Sequence, residues 1–135
     1  MEEVTIVMDG MDGLTCPQKR YLLAVYQLSL SHGAVKITEL ARAVGVGKSS
    51  ATCMTAKLAE HGYLDKAYYG QIVLTEKGRV IAKSIFQRTE LFRSFLKEQL
   101  SVDAACAADD AAAIAVYVSE NTVEQLSRFL QEHSE

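Results

Sequence analysis

The 135-residue sequence predicts a mainly α-helical fold, in which a winged helix-turn-helix is followed by a helical dimerisation domain. Apolar residues recur at helical spacing in several segments, and a glycine-containing turn at 45–47 separates two of these segments. Two β-prone segments, 63–65 and 71–74, then flank a hairpin tip at 67–70. Three helices with such a turn, followed by a hairpin, are typical of a winged helix-turn-helix.

The first helix is expected to begin at Pro17, after Thr15 or Cys16, because proline suits the first turn of a helix. It is expected to end near His32 and Gly33, where its apolar stripe stops. The stripe consists of Tyr21, Leu22, Val25, Tyr26, Leu28 and Leu30.

The second and third helices are the two helices of the helix-turn-helix. Thr38 is expected to cap the second helix, which residues 45–47 end after two turns. The third helix is expected to begin at Lys48 or Ser49 and to end near His61.

A long helix is expected to follow the hairpin, with Thr75 as its cap and its end near Leu100. An alanine-rich helix then begins at Asp103. Asn121 has the spacing of a capping box for a last helix, which is expected to end at His133. The apolar positions of the long helix are Val80, Ile81, Ile85, Phe86, Phe92, Phe95 and Leu96.

Charge is segregated along the chain. Residues 1–13 carry a net charge of -4, residues 14–80 a net charge of +5, and residues 81–135 a net charge of -4. A basic middle between acidic ends is typical of a nucleic-acid-binding unit attached to an association unit, and chance clustering on a solvated surface is the alternative. We predict an acidic extension at 1–13, a winged helix-turn-helix domain at 14–78 and a helical dimerisation domain at 79–135.

Composition argues against several other classes of protein. No apolar run is long enough to span a membrane, and the N-terminus is acidic where an export signal is basic. The three widely spaced cysteines, Cys16, Cys53 and Cys106, do not suggest a disulfide framework. We therefore expect a cytoplasmic protein without a membrane partner. The sequence has no phosphate loop, catalytic carboxylate pair or nucleophile motif, so an enzyme is not expected.

The third helix is predicted to pack on the protein with one face and to bind double-stranded DNA with the other. The packing face contains Ala51, Met54, Thr55 and Leu58. The opposite face carries small and short polar side chains, which allow a close approach to the major groove, and the flanking lysines suit phosphates. The predicted DNA-binding residues are Lys48, Ser49, Ser50, Thr52, Cys53 and Lys57 on the helix, with Tyr68, Tyr69 and Gln71 on the wing.

Several segments occur in a characteristic order: YLLAVYQL at 21–28, ITELARAVGV at 37–46 with SSAT at 49–52, GQIVLTEKG at 70–78, and RTELFRSFL at 88–96. Together they resemble the iron- and manganese-dependent repressors, the diphtheria toxin repressor and manganese transport regulator group. The resemblance covers roughly residues 15–133. It implies a homodimer assembled by the C-terminal helices, two winged helices that read a palindromic operator, and no C-terminal SH3-like domain.

Members of that family bind Mn²⁺ or Fe²⁺ between the first, long and alanine-rich helices, through carboxylates, histidines and sometimes methionine or cysteine. The matching positions here are Arg20, Leu23, Thr89, Ala112, Ala115 and Val116. These side chains are poor ligands for such cations, and a guanidinium repels them, so we expect no metal cofactor at the family's site. Arg20 is a candidate to replace the charge of the metal, with Asp109, Asp110 or Glu90 as partners.

Dimerisation is expected to use Phe92, Phe95 and Leu96 together with the last two helices, because short C-terminal helices expose more apolar surface than they can bury alone. Alternatives stay open for the function. One alternative is that the winged helix is a protein-binding module. Another is that the regulator senses a metal or a small apolar effector at another site; for an apolar effector, that site is a cavity lined by the alanine tract at 105–115.

Isolated side chains offer weaker signals. Cys53 is either a small surface or packing residue or an oxidation switch on the DNA-facing side. His32, His61 and His133 are isolated, with no second histidine three or four residues further on, so they are expected at the surface. The pair Asp109-Asp110 is also expected on a helix surface.

Overall fold

The computed structural model describes residues 13–133, so all of the predicted acidic extension except Gly13 lies outside the described residues. This part of the chain is mainly helical with one small antiparallel sheet, which confirms the predicted fold class. None of its helices is long and apolar enough to cross a membrane. The elements are α1 (Cys16–His32), α2 (Ile37–Val44), α3 (Lys48–Glu60), β1 (Leu64–Lys66), β2 (Ile72–Leu74), α4 (Glu76–Ser94), α5 (Ala104–Tyr117) and α6 (Glu120–Glu132).

The described residues form two compact units, 13–83 and 84–133, and the division falls within α4. In the first unit, α1, α2 and α3 pack against one another and against the hairpin. Burial of apolar side chains is the main source of stability of such a core. The fully buried side chains of this unit include Leu22, Val25, Val35, Leu40, Ala51 and Leu58.

A complete capping box fixes the start of α1 at Cys16, directly after Thr15. The backbone N–H of Gln18 donates to the Thr15 hydroxyl at 3.2 Å, and the backbone N–H of Thr15 donates to the Gln18 side chain at 2.9 Å. Pro17 lies in the first turn, where its missing N–H group removes no helical hydrogen bond.

The prediction that Thr38 caps α2 is wrong. The helix begins at Ile37 after Lys36, and the backbone N–H of Lys36 donates to the Glu39 carboxylate at 3.1 Å. This hydrogen bond lowers the pKa of Glu39, and a hydrogen bond with His32 acts in the same direction. The start of α2 is thus stabilised by the Glu39 carboxylate, which accepts from the backbone N–H before the helix, and not by a threonine hydroxyl that accepts from an N–H inside the helix.

The prediction that Asn121 caps the last helix is also wrong. The helix begins at Glu120, and the Ser119 hydroxyl accepts a hydrogen bond from the backbone N–H of Thr122 at 3.3 Å. Serine is as good a cap as asparagine, and Ser119 comes earlier in the chain, at the end of α5. Asn121 consequently lies inside the first turn and is exposed.

The hairpin contains the two predicted strands, paired antiparallel from Leu64 opposite Leu74 to Lys66 opposite Ile72. Val35, from the loop between α1 and α2, adds an antiparallel bridge to Ile72 through two backbone hydrogen bonds of 2.8 Å. The loop after α1 therefore holds the base of the hairpin against the helices.

A compact junction joins the end of α3, the hairpin and the start of α4. The Thr75 hydroxyl accepts a hydrogen bond from the backbone N–H of Gly78 at 3.0 Å and donates one to the Gly62 carbonyl at 2.7 Å. The prediction that Thr75 caps α4 is confirmed. The Lys77 ammonium lies 4.4 Å from the centre of the Tyr63 ring. Gly78 faces the Tyr63 carbonyl so closely that a Cβ atom at this position would overlap the carbonyl oxygen.

The second unit packs α5 and α6 on the C-terminal part of α4. The last turn of the predicted long helix, Phe95–Gln99, is π-helical. The Asp103 carboxylate accepts a hydrogen bond from the Cys106 backbone N–H at 2.9 Å, which lowers the pKa of Asp103 and confirms the predicted start of α5. The small core of this unit contains Phe92, Ala111 and Val123, with Leu91, Leu96, Ile114, Val118 and Leu126 packed around it.

Replacement of Gly78 tests the junction. Helix propensity alone predicts that Gly78→Ala stabilises the protein by about 1 kcal/mol. We expect the opposite, a loss of about 2 kcal/mol or more, because the new methyl group forces the Tyr63 backbone to move. Urea unfolding measures the change. Arg79→Ala, at the exposed neighbouring position, is the control and should change stability by less than about 0.5 kcal/mol; a stabilised Gly78→Ala variant would contradict the close approach.

Candidate nucleic-acid interface

Helix α3 is divided into a buried and an exposed face. Ala51, Thr55 and Leu58 are buried, and Met54 is half-buried at the edge of this face. The side chains of the opposite face are all exposed and are Ser49, Thr52, Cys53 and Ala56. The structure thus places the predicted small, short side chains on the solvent side of the helix, where nothing bulky hinders a close approach to a groove.

The turn before α3 explains the direction of the helix. Gly45 has a φ of 86°, a left-handed conformation that favours glycine, and its N–H donates to the Ala41 carbonyl at 2.9 Å. The chain then re-enters a helix at Lys48, directly after Gly47. The first N–H groups of α3 lack acceptors within the helix and carry partial positive charge, so this end of the helix suits a phosphate.

Thr52 has a defined hydrogen-bonding state. Its hydroxyl donates to the Lys48 carbonyl at 2.9 Å, one turn earlier in the helix. The hydroxyl hydrogen is therefore engaged, while the oxygen lone pairs and the methyl group stay exposed. Such a side chain accepts a hydrogen bond from a base amino group or contacts a thymine methyl group.

The predicted wing residues lie at the tip of the hairpin. Tyr68 and Tyr69 are 87% and 100% exposed, and Gln71 is half-buried where the tip joins β2. The tip borders an open cleft of about 280 Å³ that also contacts the first turns of α2 and α3. Lys57, near the C-terminal end of α3, is exposed. The cleft is lined by Lys36, Ile37, Thr38, Lys48, Tyr69, Gly70 and Gln71.

The cleft contains two residues with polar side chains, Lys36 and Thr38, that sequence reasoning did not include in the interface. Lys36 is the residue before α2, a position at which a cation lies beside the first turn of a helix. The only sequence signal for a DNA-binding role of Lys36 was its position in the basic segment 14–80. Its proximity to Lys48 and to the wing depends on tertiary folding and has no local sequence signature.

The histidines and the acidic pair are exposed, as predicted. His32 nevertheless has a partner in the next helix, since its Nε2 atom lies 3.1 Å from the Glu39 carboxylate. His133 stacks on the Phe129 ring at a centroid distance of 4.0 Å. These contacts give His32 and His133 structural roles at helix ends.

Arg88 is a buried cation of the second unit that sequence reasoning missed. Only 2% of this residue is exposed, and its Nη2 atom donates to the Val118 carbonyl at 2.6 Å. Burial lowers the pKa of Arg88, and the nearby Glu120 carboxylate opposes that effect. The side chain ties α4 to the turn between α5 and α6. Sequence reasoning located buried positions by their apolar residues, so it did not identify a buried arginine.

Two family profiles match the chain in succession. The iron dependent repressor N-terminal DNA binding domain matches residues 14–72, and the iron dependent repressor metal binding and dimerisation domain matches residues 75–135. The chain belongs to the iron-dependent repressor family. The predicted resemblance is therefore confirmed.

Relatives extend over most of the sequence. The HTH-type transcriptional regulator MntR of Bacillus subtilis (strain 168) is 32% identical over 111 residues, 82% of this chain and 78% of the relative. The uncharacterized HTH-type transcriptional regulator MJ0568 of Methanocaldococcus jannaschii is 32% identical over 112 residues, 82% of this chain and 90% of the relative. A solved manganese-dependent transcriptional repressor in complex with manganese matches at 28% identity with a TM-score of 0.76, covering 84% of this chain and 52% of that one. The chain thus spans about half the length of that solved repressor.

The positions that the sequence is predicted to share with the family's metal ligands offer few oxygen or nitrogen donors. Thr89 is buried, and its hydroxyl donates to the Ile85 carbonyl at 2.9 Å. Leu23, Ala115 and Val116 are buried and apolar, Ala112 is half-buried and apolar, and Arg20 is half-buried and basic. Within residues 13–133, no cluster of three or more histidine, cysteine, aspartate or glutamate side chains is suited to a metal ion.

One proposed partner of Arg20 is already engaged. The Glu90 carboxylate accepts two hydrogen bonds from the Arg93 guanidinium, at 2.6 and 3.1 Å. The (i, i+3) pair on α4 gives this carboxylate a local partner, and the idea that Glu90 balances Arg20 stays a hypothesis. Asp109 and Asp110 are exposed on α5.

The charged and small residues of the interface are expected to act differently. If the dimer contacts about 6 to 10 phosphates, its affinity should fall by roughly 10³ to 10⁵ between about 50 and 200 mM salt. Lys48→Ala should weaken binding to all sequences alike, whereas Thr52→Ala should relax preference at one base-pair position. Fluorescence anisotropy with matched duplexes measures both effects. Lys97→Ala, an exposed position in the second unit, is the control, and an affinity that ignores salt would contradict a phosphate-binding surface.

Proposed function

We propose that the protein is a cytoplasmic transcriptional repressor that binds a palindromic operator as a homodimer, without catalytic activity. The observation that carries the proposal is the exposed face of α3, which presents small and short polar side chains in a winged helix of this family. In this arrangement α3 occupies the major groove, and Lys48 and Lys57 contact the phosphates beside it.

The second unit supports the dimer. Phe92 is buried in the core of the unit, beneath the proposed dimer surface, while Phe95 and Leu96 are half-buried. Phe95 makes an edge-to-face contact with Phe129 at 5.8 Å between ring centroids. Leu100 is largely exposed, so the end of the long helix leaves apolar surface for a second copy. Two copies related by a twofold axis match the symmetry of a palindromic site.

The dimer gives a direct expectation for the mass in solution. At micromolar concentration, sedimentation equilibrium or light scattering should return about twice the 14.8 kDa of one chain. The dimer should persist without DNA, because its interface is apolar and separate from the DNA-binding surface. A monomer under these conditions would contradict the proposed assembly.

We further propose that operator binding does not depend on Mn²⁺ or Fe²⁺ at the family's site. Such ions require several oxygen or nitrogen donors, and the matching positions supply one engaged hydroxyl, hydrocarbon side chains and a guanidinium. The residues present do not fit the metal. Arg88 already holds α4 to the turn after α5 with a permanent charge, so this contact needs no ion that dissociates.

Metal independence predicts that removal of metal leaves operator affinity unchanged. Affinity should be the same after dialysis against a chelator and after addition of Mn²⁺, since no donor set responds to the ion. The solved manganese-dependent repressor is the positive control and should respond under the same conditions. Calorimetry that returns stoichiometric, submicromolar Mn²⁺ binding to this chain would overturn the proposal.

A further inference from the structure

The wing tip contains a residue in an unfavourable backbone conformation. Tyr69 has φ 60° and ψ 31°, the left-handed region that glycine adopts readily and that side chains with a Cβ atom rarely adopt. Its side chain is fully exposed, so no packing contact compensates for the strain. A bulky side chain in such a conformation, with no packing role in the fold, points to a role outside the protein.

The backbone of the tip holds this conformation without help from the tyrosine ring. The N–H of Ala67 donates to the Gln71 carbonyl at 2.7 Å, and the N–H of Gln71 donates to the Tyr68 carbonyl at 3.2 Å. These bonds close a short turn whose outermost side chain is Tyr69. Replacement of that side chain therefore leaves the hydrogen bonds of the wing in place.

The cleft beside the tip indicates where Tyr69 would lie on DNA when α3 occupies a major groove. Its lining joins the first turns of α2 and α3 to the wing and includes Lys36 and Lys48. In duplex DNA, one sugar–phosphate strand separates the major groove from the neighbouring minor groove. With α3 in the major groove, that strand fits along the basic cleft, and the wing tip lies on its far side.

We propose that Tyr69 enters the minor groove beside the major groove that α3 occupies, with the intervening phosphate strand seated between Lys36 and Lys48. The inference rests on the DNA-binding function proposed above. The flat ring fits between the sugar walls of a narrow minor groove. Its hydroxyl donates to the N3 atom of adenine or the O2 atom of thymine, and the amino group of guanine obstructs it. Tyr69 therefore selects A·T pairs on the flank of each half-site.

The first test separates DNA binding from stability. The probe is a duplex selected from a random-sequence pool by the wild-type protein. Tyr69→Gly should bind this duplex roughly 10-fold more weakly, while its thermal midpoint is no lower than that of the wild type, because glycine relieves the left-handed strain. Tyr69→Phe, which keeps the ring, should retain most of the affinity and lose the preference for A·T pairs at the flank.

The second test modifies the DNA and leaves the protein intact. Substitution of 2,6-diaminopurine for adenine adds an amino group to the minor groove alone, so at the flank it should weaken wild-type binding and leave Tyr69→Gly unaffected. The same substitution at the end of the duplex is the control. Equal binding by wild type and Tyr69→Gly, or equal sensitivity of both to the modified flank, would overturn the inference while the DNA-binding function stands. A pool that yields no selected sequence contradicts the function itself.

Discussion

The arrangement of the winged helix depends on the close approach of Gly78 to the Tyr63 carbonyl. That contact lets α4 start directly against the chain that leaves α3, and the Thr75 hydroxyl bridges both by accepting from Gly78 and donating to Gly62. The junction fixes the C-terminal end of α3 and the base of the wing together. Since α3 and the wing both meet this junction, the short contacts of Gly78 and Thr75 hold them at a fixed separation.

The interface combines close approach with charge at its edges. The exposed small side chains of α3 allow the helix backbone to approach bases closely, and the exposed lysines beside them suit an attraction to phosphates that is independent of sequence. The cleft adds Lys36 and Lys48, between which the proposal places a phosphate strand. In the proposed interface, base-specific contacts are thus left to a few residues, chiefly Thr52 on α3 and Tyr69 on the wing.

The sequence predicted the order of the elements and the two faces of α3 because both depend on local periodicity. It failed at the caps of α2 and α6, where Thr38 and Asn121 each competed with a neighbour that makes the actual hydrogen bond. Arg88 and the cleft were not predictable in this way. Nothing in the local sequence distinguishes the buried Arg88 from an arginine at the surface. Lys36 and Tyr69 are far apart in sequence and line the same cleft only in the folded chain.

The native cysteines provide the most direct test of the claim that the exposed face of α3 enters the major groove. A duplex with a disulfide tether on the major-groove edge of a half-site base is mixed with the protein, and the crosslinked peptide is identified by mass spectrometry. Cys53 is exposed on that face, while Cys106 is exposed on α5 and Cys16 is half-buried. The account predicts crosslinking through Cys53 alone, abolished by Cys53→Ser. Crosslinking through Cys106, or none on a duplex that the protein binds, would contradict it.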